Sequence, residues 1–381
     1  MIAKLGDVCT VVSGSTPKSA VPEYWDGDIK WITPAELNED TYVIYDSARH
    51  ISALGVAKTG LKPFPAGTVI LSSRAPIGKT AIAGCEMYCN QGFKNLVCGE
   101  KIDSKYLYFF LSSKTDYLNS LGRGATFKEI SKAIVENVEI PLPELSEQRR
   151  IAACFEKLMH LIHLRKTELE EMDKLRKSRF IELFGSVEVN VFGFETIKIK
   201  DACDLINGKA FKPEDWSETG LPIVRIQNLN NDQAPFNFFN GEIKEQYLID
   251  TGELLFSWSG TPGTSFGAFF WNRGKAVLNQ HIFRVKPKIE FNLSFLQFAL
   301  NGRIDHIISK AHGGVGLQHI TKKELDEVEL LLPAIELQNQ FAAFVKQTDK
   351  SKYYSSLSCY LCNKAANTYR QEWTKCQTSN S

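Results

Sequence analysis

The chain sets out one plan twice. Leu142-Pro143-Glu144-Leu145-Ser146-Glu147-Gln148 returns about 190 residues later as Leu332-Pro333-Ala334-Ile335-Glu336-Leu337-Gln338. Lys4-Leu5-Gly6-Asp7-Val8-Cys9 answers to Lys198-Ile199-Lys200-Asp201-Ala202-Cys203, Asn90-Gln91-Gly92-Phe93 to Asn279-Gln280-His281-Ile282, and residues 122–131 to 312–321. The separation drifts by only a few residues, as loop insertions in two copies of one domain produce. A duplicated domain gives a pseudo-symmetric molecule, and such a molecule suits a ligand with two half-sites.

At 381 residues, each half is long enough to bury its own core. The first copy alternates strand-like runs with Gly and Pro turn signals: Val8-Cys9-Thr10-Val11-Val12, Ile29-Lys30-Trp31-Ile32, Thr68-Val69-Ile70-Leu71 and Lys94-Asn95-Leu96-Val97-Cys98. Residues 106–118 read as its helix. The second copy has strands at Pro222-Ile223-Val224-Arg225-Ile226, Glu253-Leu254-Leu255-Phe256 and His281-Ile282-Phe283-Arg284-Val285.

Each copy runs into a helix. Ser146-Glu147-Gln148 opens a stretch without Gly or Pro that ends at Phe184-Gly185, as a capped helix does. Ile151, Phe155, Leu158, Ile162, Leu169 and Met172 fall on a 4-3 spacing interrupted by Arg165, a coiled-coil-like seam on a rod of about 58 Å. A second helix runs from about Ile335 towards Trp373, with Leu337, Phe341, Phe344 and Val345 apolar at its start and serine-rich sequence beyond Thr348. Neither helix can bury its seam alone, so the two are expected to pair antiparallel and hold the globular halves at opposite ends. The expected fold class is α+β: two similar sheet-rich domains, 1–142 and 186–332, separated by a two-helix coiled-coil-like spacer made from 143–185 and 333–381.

Composition excludes several classes. The N-terminus has no basic segment leading into an apolar one, and no apolar run is long enough to cross a bilayer, so no membrane role is expected. Nine scattered cysteines, an odd number, fit a reduced cytoplasmic setting better than a disulfide framework. Cys359-Tyr360-Leu361-Cys362 has a zinc-knuckle spacing without a second ligand pair, so structural thiols are the better reading and no metal is expected. A net charge of +1 means that any DNA contact relies on local positive charge or on a partner that neutralises phosphates.

Four loops stand out. Ser73-Arg74-Ala75-Pro76-Ile77-Gly78-Lys79-Thr80 imitates a phosphate loop, but Ala81-Ile82-Ala83-Gly84 leaves no room for the helix such a loop needs. Its counterpart, Ser257-Trp258-Ser259-Gly260-Thr261-Pro262-Gly263-Thr264, has no lysine. Both fit a polar loop that leaves a buried strand and presents Arg74 or Trp258 to a groove, although a plain surface hairpin fits as well. Gly122-Arg123-Gly124-Ala125-Thr126-Phe127-Lys128 and His312-Gly313-Gly314-Val315-Gly316-Leu317-Gln318 are glycine loops at equivalent places, with donors suited to phosphates or base edges, or else domain-closing turns. Strand alternation puts Arg225 and Gln227 on one face.

Catalytic chemistry is missing. An adenine methyltransferase's Asn-Pro-Pro-aromatic or Asp-Pro-Pro-aromatic loop is absent, and so is a glycine-rich cofactor loop. Asp232 with Glu242-Ile243-Lys244 imitates a nuclease carboxylate set only loosely.

Taken together, the order and duplication of these segments resemble the specificity subunits of type I restriction-modification enzymes. The residues that carry the resemblance are Ile140-Pro141-Leu142-Pro143-Glu144-Leu145-Ser146-Glu147-Gln148-Arg149-Arg150-Ile151, Leu331-Leu332-Pro333-Ala334-Ile335-Glu336-Leu337-Gln338-Asn339-Gln340-Phe341, Leu183-Phe184-Gly185 and Val277-Leu278-Asn279-Gln280-His281. The resemblance implies a non-catalytic subunit that needs no cofactor and reads a split target in double-stranded DNA. It implies partners too: methyltransferase subunits, two of them, and restriction/translocase subunits. Two readers on one face of a duplex need half-sites about one helical turn, roughly 10 bp, apart. The expected DNA contacts are Arg74, Lys79, Arg123, Lys128, Arg225, Gln227, Trp258, Arg273, His312 and Gln318. The competing reading is a scaffold whose duplicated domains hold proteins together and never read DNA.

Overall fold

The computed structural model describes residues 1–38, 41–74, 76–124, 128–261, 264–314 and 317–378. Of the loops singled out above, Ala75, Ala125, Thr126, Phe127, Pro262, Gly263, Val315 and Gly316 lie outside the described residues. The chain divides into two compact units, residues 1–166 with 357–381 and residues 167–356, and each mixes sheet with helix.

In the first unit the main sheet is ordered Cys9–Ser13, Lys94–Cys98, Val69–Leu71, Thr80–Ala83, Val43–Ile44. Val69-Ile70-Leu71 is apolar without alternation because both of its faces are covered. Val69 and Leu71 join the core under helix Ser104–Ser112, while Ile70 joins a second core with Phe64, Met87 and Phe93. That second core lies between the main sheet and a smaller one, in which Trp25–Ile32 pairs in parallel with Tyr88–Cys89 through Trp31 and Ile32.

The second unit repeats the plan. Its main sheet runs Cys203–Asn207, Ile282–Pro287, Leu254–Ser257, Gly267–Phe270, and its smaller sheet holds the matching parallel pair, Leu221–Val224 on Ala276–Leu278. The match extends to single hydrogen bonds. Leu5 N–H donates to the Val138 carbonyl at 2.9 Å, and Ile199 N–H donates to that of Val328 at 2.9 Å. Gly14 and Gly208 follow Cys9–Ser13 and Cys203–Asn207, where a Cβ would collide with the backbone carbonyls of Cys89 and Asn90, or of Leu278 and Asn279.

The repeated Leu-Pro segment has a physical explanation in its glutamine. Gln148, completely buried, accepts from Asp103 N–H at 2.9 Å and donates to the carbonyls of Lys101 at 3.0 Å and Pro143 at 2.8 Å. Gln338 accepts from Asn292 N–H at 3.0 Å and donates to the Pro333 carbonyl at 2.9 Å. Asp103 and Asn292 are the N-caps of the buried helices Ser104–Ser112 and Leu293–Asn301. Each glutamine therefore ties the start of a long helix to the cap of a core helix.

The long helices are Leu145–Phe184, closed by Gly185 at φ 68°, and Ile335–Thr378. In the second unit Arg176 bonds Thr348 Oγ1 at 2.7 Å and pairs with Asp349, and Lys352 reaches Asp173 at 2.6 Å, an antiparallel order. In the first unit Ala366 belongs to the same core cluster as Phe155, against which Ile151 and Leu158 also pack. From Gln338 to Ala366 a buried or half-buried residue recurs at alternating steps of three and four, including Ser355, Cys359 and Cys362. The cysteine pair thus has a seam spacing, and no group of metal-ligating side chains occurs among the described residues.

Two elements differ from the sequence reading. The helix expected over 106–118 is two, Ser104–Ser112 and Thr115–Ser120. The Ser112 and Ser113 hydroxyls bond back to the carbonyls of Phe109 and Phe110 and compete with the ladder there. The strand expected through Ile226 stops at Val224, because Asn228 Oδ1 accepts from Arg225 N–H at 3.1 Å and starts a short helix, Ile226–Asn230. Strand alternation therefore does not relate Arg225 to Gln227.

Candidate nucleic-acid interface

The serine loop and the glycine loop of each copy meet in a small β-ribbon. In the first unit Arg74 and Arg123 both pair with Glu129 across bridges, Ile130 N–H donates to the Ser73 carbonyl at 3.0 Å, and Ser73 N–H to that of Gly92 at 2.7 Å. In the second unit Ser259 and His312 both pair with His319, Ile320 N–H donates to the Trp258 carbonyl at 3.2 Å, and Trp258 N–H to that of His281 at 3.4 Å. Three segments far apart in sequence thus converge twice in one register. A paired ribbon holds the residues of all three segments in fixed register, which is what a group of contact residues needs.

Within the first ribbon Lys94, which is nearly buried, bonds Glu129 at 3.2 Å and Ser73 Oγ at 3.3 Å. This pair braces the ribbon from beneath. Arg74 is half-buried beside Gly92, while Arg123 and Lys128 are exposed. The charged ends of all three make no hydrogen bond or ion pair among the described residues. Lys79 differs: its ammonium is held by the carbonyls of Leu37 at 2.5 Å and Pro34 at 3.3 Å. A strand, Thr80–Ala83, follows it rather than a helix, so the phosphate-loop likeness is sequence only.

The second ribbon carries aromatic, imidazole and carboxamide side chains. Trp258 packs on His281 and Phe283 at ring separations of 5.4 and 5.7 Å. Burial, helped by nearby Arg225 and His319, holds the His281 imidazole below its ordinary pKa. Trp258 Nε1, His281 Nδ1, Ser257 Oγ and Gln318 Oε1 are buried without a hydrogen-bond partner. An unpaired buried polar atom is costly, so each of these gains from any partner that supplies its missing hydrogen bond. His312 reaches Glu324 Oε1 at 2.6 Å, and Glu324, which also accepts from Thr321, is held down at about 2.

Of the remaining candidates, Arg225 is half-buried and near His281, while Arg273 and Gln227 are engaged with other parts of the second unit. Arg273 bonds the Asn228 carbonyl and stacks on Trp271 and Phe236 at 4.6 and 5.1 Å, a structural use of its guanidinium. Gln227 is exposed and donates to the Pro235 carbonyl at 3.3 Å. Sequence reasoning missed Lys94, Glu129, His281 and His319 as members of the ribbons. The repeated Asn-Gln motif was the available signal: Asn90 Oδ1 and Asn279 Oδ1 turn the chain at the same point, accepting from Gly92 N–H at 2.9 Å and His281 N–H at 3.4 Å.

A family model described as the type I restriction modification DNA specificity domain matches residues 1–174 and again 193–353. The chain is 36% identical over 247 residues to the type I restriction enzyme MjaIX specificity subunit of Methanocaldococcus jannaschii, a match covering 64% of this chain but only 56% of that relative. It is 22% identical over 368 residues to the EcoprrI specificity subunit of Escherichia coli, covering 91% and 86%. Among solved structures, the S subunit of a type I restriction-modification system from M. genitalium superposes at a TM-score of 0.59 with 15% identity, covering 98% of this chain and 95% of that one, which makes the fold common to both. With its specificity domain matched twice in register with its own internal repeat, the chain belongs to the type I restriction-modification DNA specificity family.

Proposed function

We propose that the chain is the sequence-reading subunit of a type I restriction-modification complex, with residues 1–142 reading one half of a split DNA target and 186–332 the other. Catalysis is delegated. The chain brings two methyltransferase subunits, and in the full complex restriction/translocase subunits, to the site it reads, in the cytoplasm. The observation that supports this best is the duplicated ribbon: the same three segments meet twice in the same register, each time with polar side chains lacking internal partners. Arg74, Arg123, Lys128, Trp258, His312 and Gln318 stand on these ribbons, and we assign DNA contact to them first. Lys79, Arg225, Gln227 and Arg273 rank behind, Lys79 and Arg273 because each already holds backbone carbonyls.

A domain exchange tests the reading. Residues 1–142 are replaced by the corresponding domain of a relative, and DNA methylated by the assembled complex is sequenced with a methylation-sensitive method. A sequence reader exchanges one half of its methylated target and keeps the other. A scaffold changes neither.

A further inference from the structure

The two ribbons share a backbone and differ in chemistry at matched positions. Register pairs Arg123 with His312 and Glu129 with His319, so Lys128 corresponds to Gln318 and Arg74 to Ser259. The first ribbon presents two guanidiniums and an ammonium whose charges are not used within the described chain. The second presents no free cation at those matched positions.

Gln318 has an unusual setting. It occupies the middle strand of its ribbon, and its register neighbours on the two sides are glycines, Gly260 and Gly313. No side chain flanks it along the ladder, so a flat group can approach its carboxamide closely. Its Oε1 is closed off without a donor. Turning the carboxamide outward to a ligand's N–H removes that unfavourable state, so the gain appears only when a donor is offered.

The base edges accept these groups selectively. A guanidinium matches the two acceptors of guanine, O6 and N7, whereas a carboxamide matches the donor and acceptor of adenine, N6 and N7. We propose that the first domain specifies a guanine through Arg74 and Arg123, and that the second specifies an adenine through Gln318. Lys128, a flexible point charge at the ribbon's edge, serves the phosphate backbone on this assignment.

The inference rests on the DNA-reading function proposed above, and the experiment separates the two. Full-length chain is assembled with its modification subunits, and the methylated motif is determined for wild type, Arg74→Ala, Arg123→Ala, Gln318→Ala and Gln318→Glu. The exchange of residues 1–142 assigns each half of the motif to its domain. Expected is a guanine in the first domain's half whose discrimination falls roughly 5- to 150-fold in an arginine variant, with the other half unaltered. Gln318→Ala relaxes an adenine in the second half by a similar factor, and Gln318→Glu moves the preference at that position towards cytosine, whose N4 amine a carboxylate accepts. The inference is overturned if the motif moves with the exchanged domain yet these variants leave every base as strictly specified as before. It is also overturned if they weaken methylation equally at all sequences. If domain exchange leaves both halves of the motif unchanged, the DNA-reading function itself fails.

Discussion

Replacing Gln148 with leucine isolates what the repeated Leu-Pro segment does. Leucine keeps most of the volume and removes every polar atom of a side chain that is completely buried. Three backbone groups then lose their partners: Asp103 N–H and the carbonyls of Lys101 and Pro143. Lys101 is exposed, so its carbonyl returns to water, while Asp103 and Pro143 are half-buried. An unsatisfied buried group costs about 1 to 3 kcal/mol. With two groups stranded in partial burial, and a small apolar gain from leucine, Gln148→Leu is expected to destabilise the first unit by about 2 to 4 kcal/mol. In a unit of this size that lowers Tm by about 5 to 15 °C. Because Asp103 caps helix Ser104–Ser112, hydrogen exchange of that helix should accelerate about 30- to 1,000-fold while helix Leu293–Asn301 keeps its protection. Urea unfolding and amide exchange measure both quantities. A loss below about 0.5 kcal/mol, or equal loss of protection in both helices, would refute the anchoring argument.

Three further outcomes are expected. Gly208→Ala forces a Cβ into the carbonyls of Leu278 and Asn279 and should cost about 1 to 3 kcal/mol in urea unfolding, and an unchanged midpoint would mean that the strand end yields freely. Glu327, exposed and bonded at 2.6 Å to both Lys198 and Lys200, is held at about 2 against an ordinary 4.5. A depressed carboxylate stabilises fully above the ordinary value and loses its contribution as pH falls through the folded one, so Glu327→Gln should flatten the acid dependence of stability between pH 4.5 and 2; identical acid profiles for the two proteins would contradict this. Lys128→Gln should weaken binding about equally across DNA sequences and reduce the slope of log affinity against log salt by about one, whereas a base-specific loss would reassign it as a reader.

The parts of the fold legible in the sequence are those written into local pattern. The 4-3 spacing from Ile151 and the Phe184-Gly185 stop fix a helix that spans Leu145–Phe184, and the internal repeat foretells two similar units down to the Leu5 and Ile199 hydrogen bonds. The serine-rich stretch beyond Thr348 was harder, since a seam can be filled by small residues such as Ser355 and Ala366, which hydrophobicity does not flag. Arg225 was misread because a side-chain turn from Asn228 overrode a β-like run.

The interface was legible in its loops and illegible in their meeting. The repeated Ser-rich and Gly-rich segments were visible, yet that Arg74 and Arg123 share Glu129 depends on pairing between distant segments. Equally, nothing local distinguishes Lys79, spent on Leu37 and Pro34, from Arg74 five residues earlier. Burial and partnership, which separate free charges from structural ones, are properties of the folded chain.

Methylation-sensitive sequencing of DNA from cells that express this chain with its modification subunits addresses the central claim directly. Two specified blocks of bases, unlike each other and separated by an unspecified gap that centres them about one helical turn apart, are the predicted motif. A single uninterrupted block, or methylation without any sequence preference, would contradict the assignment of one half-site to each domain.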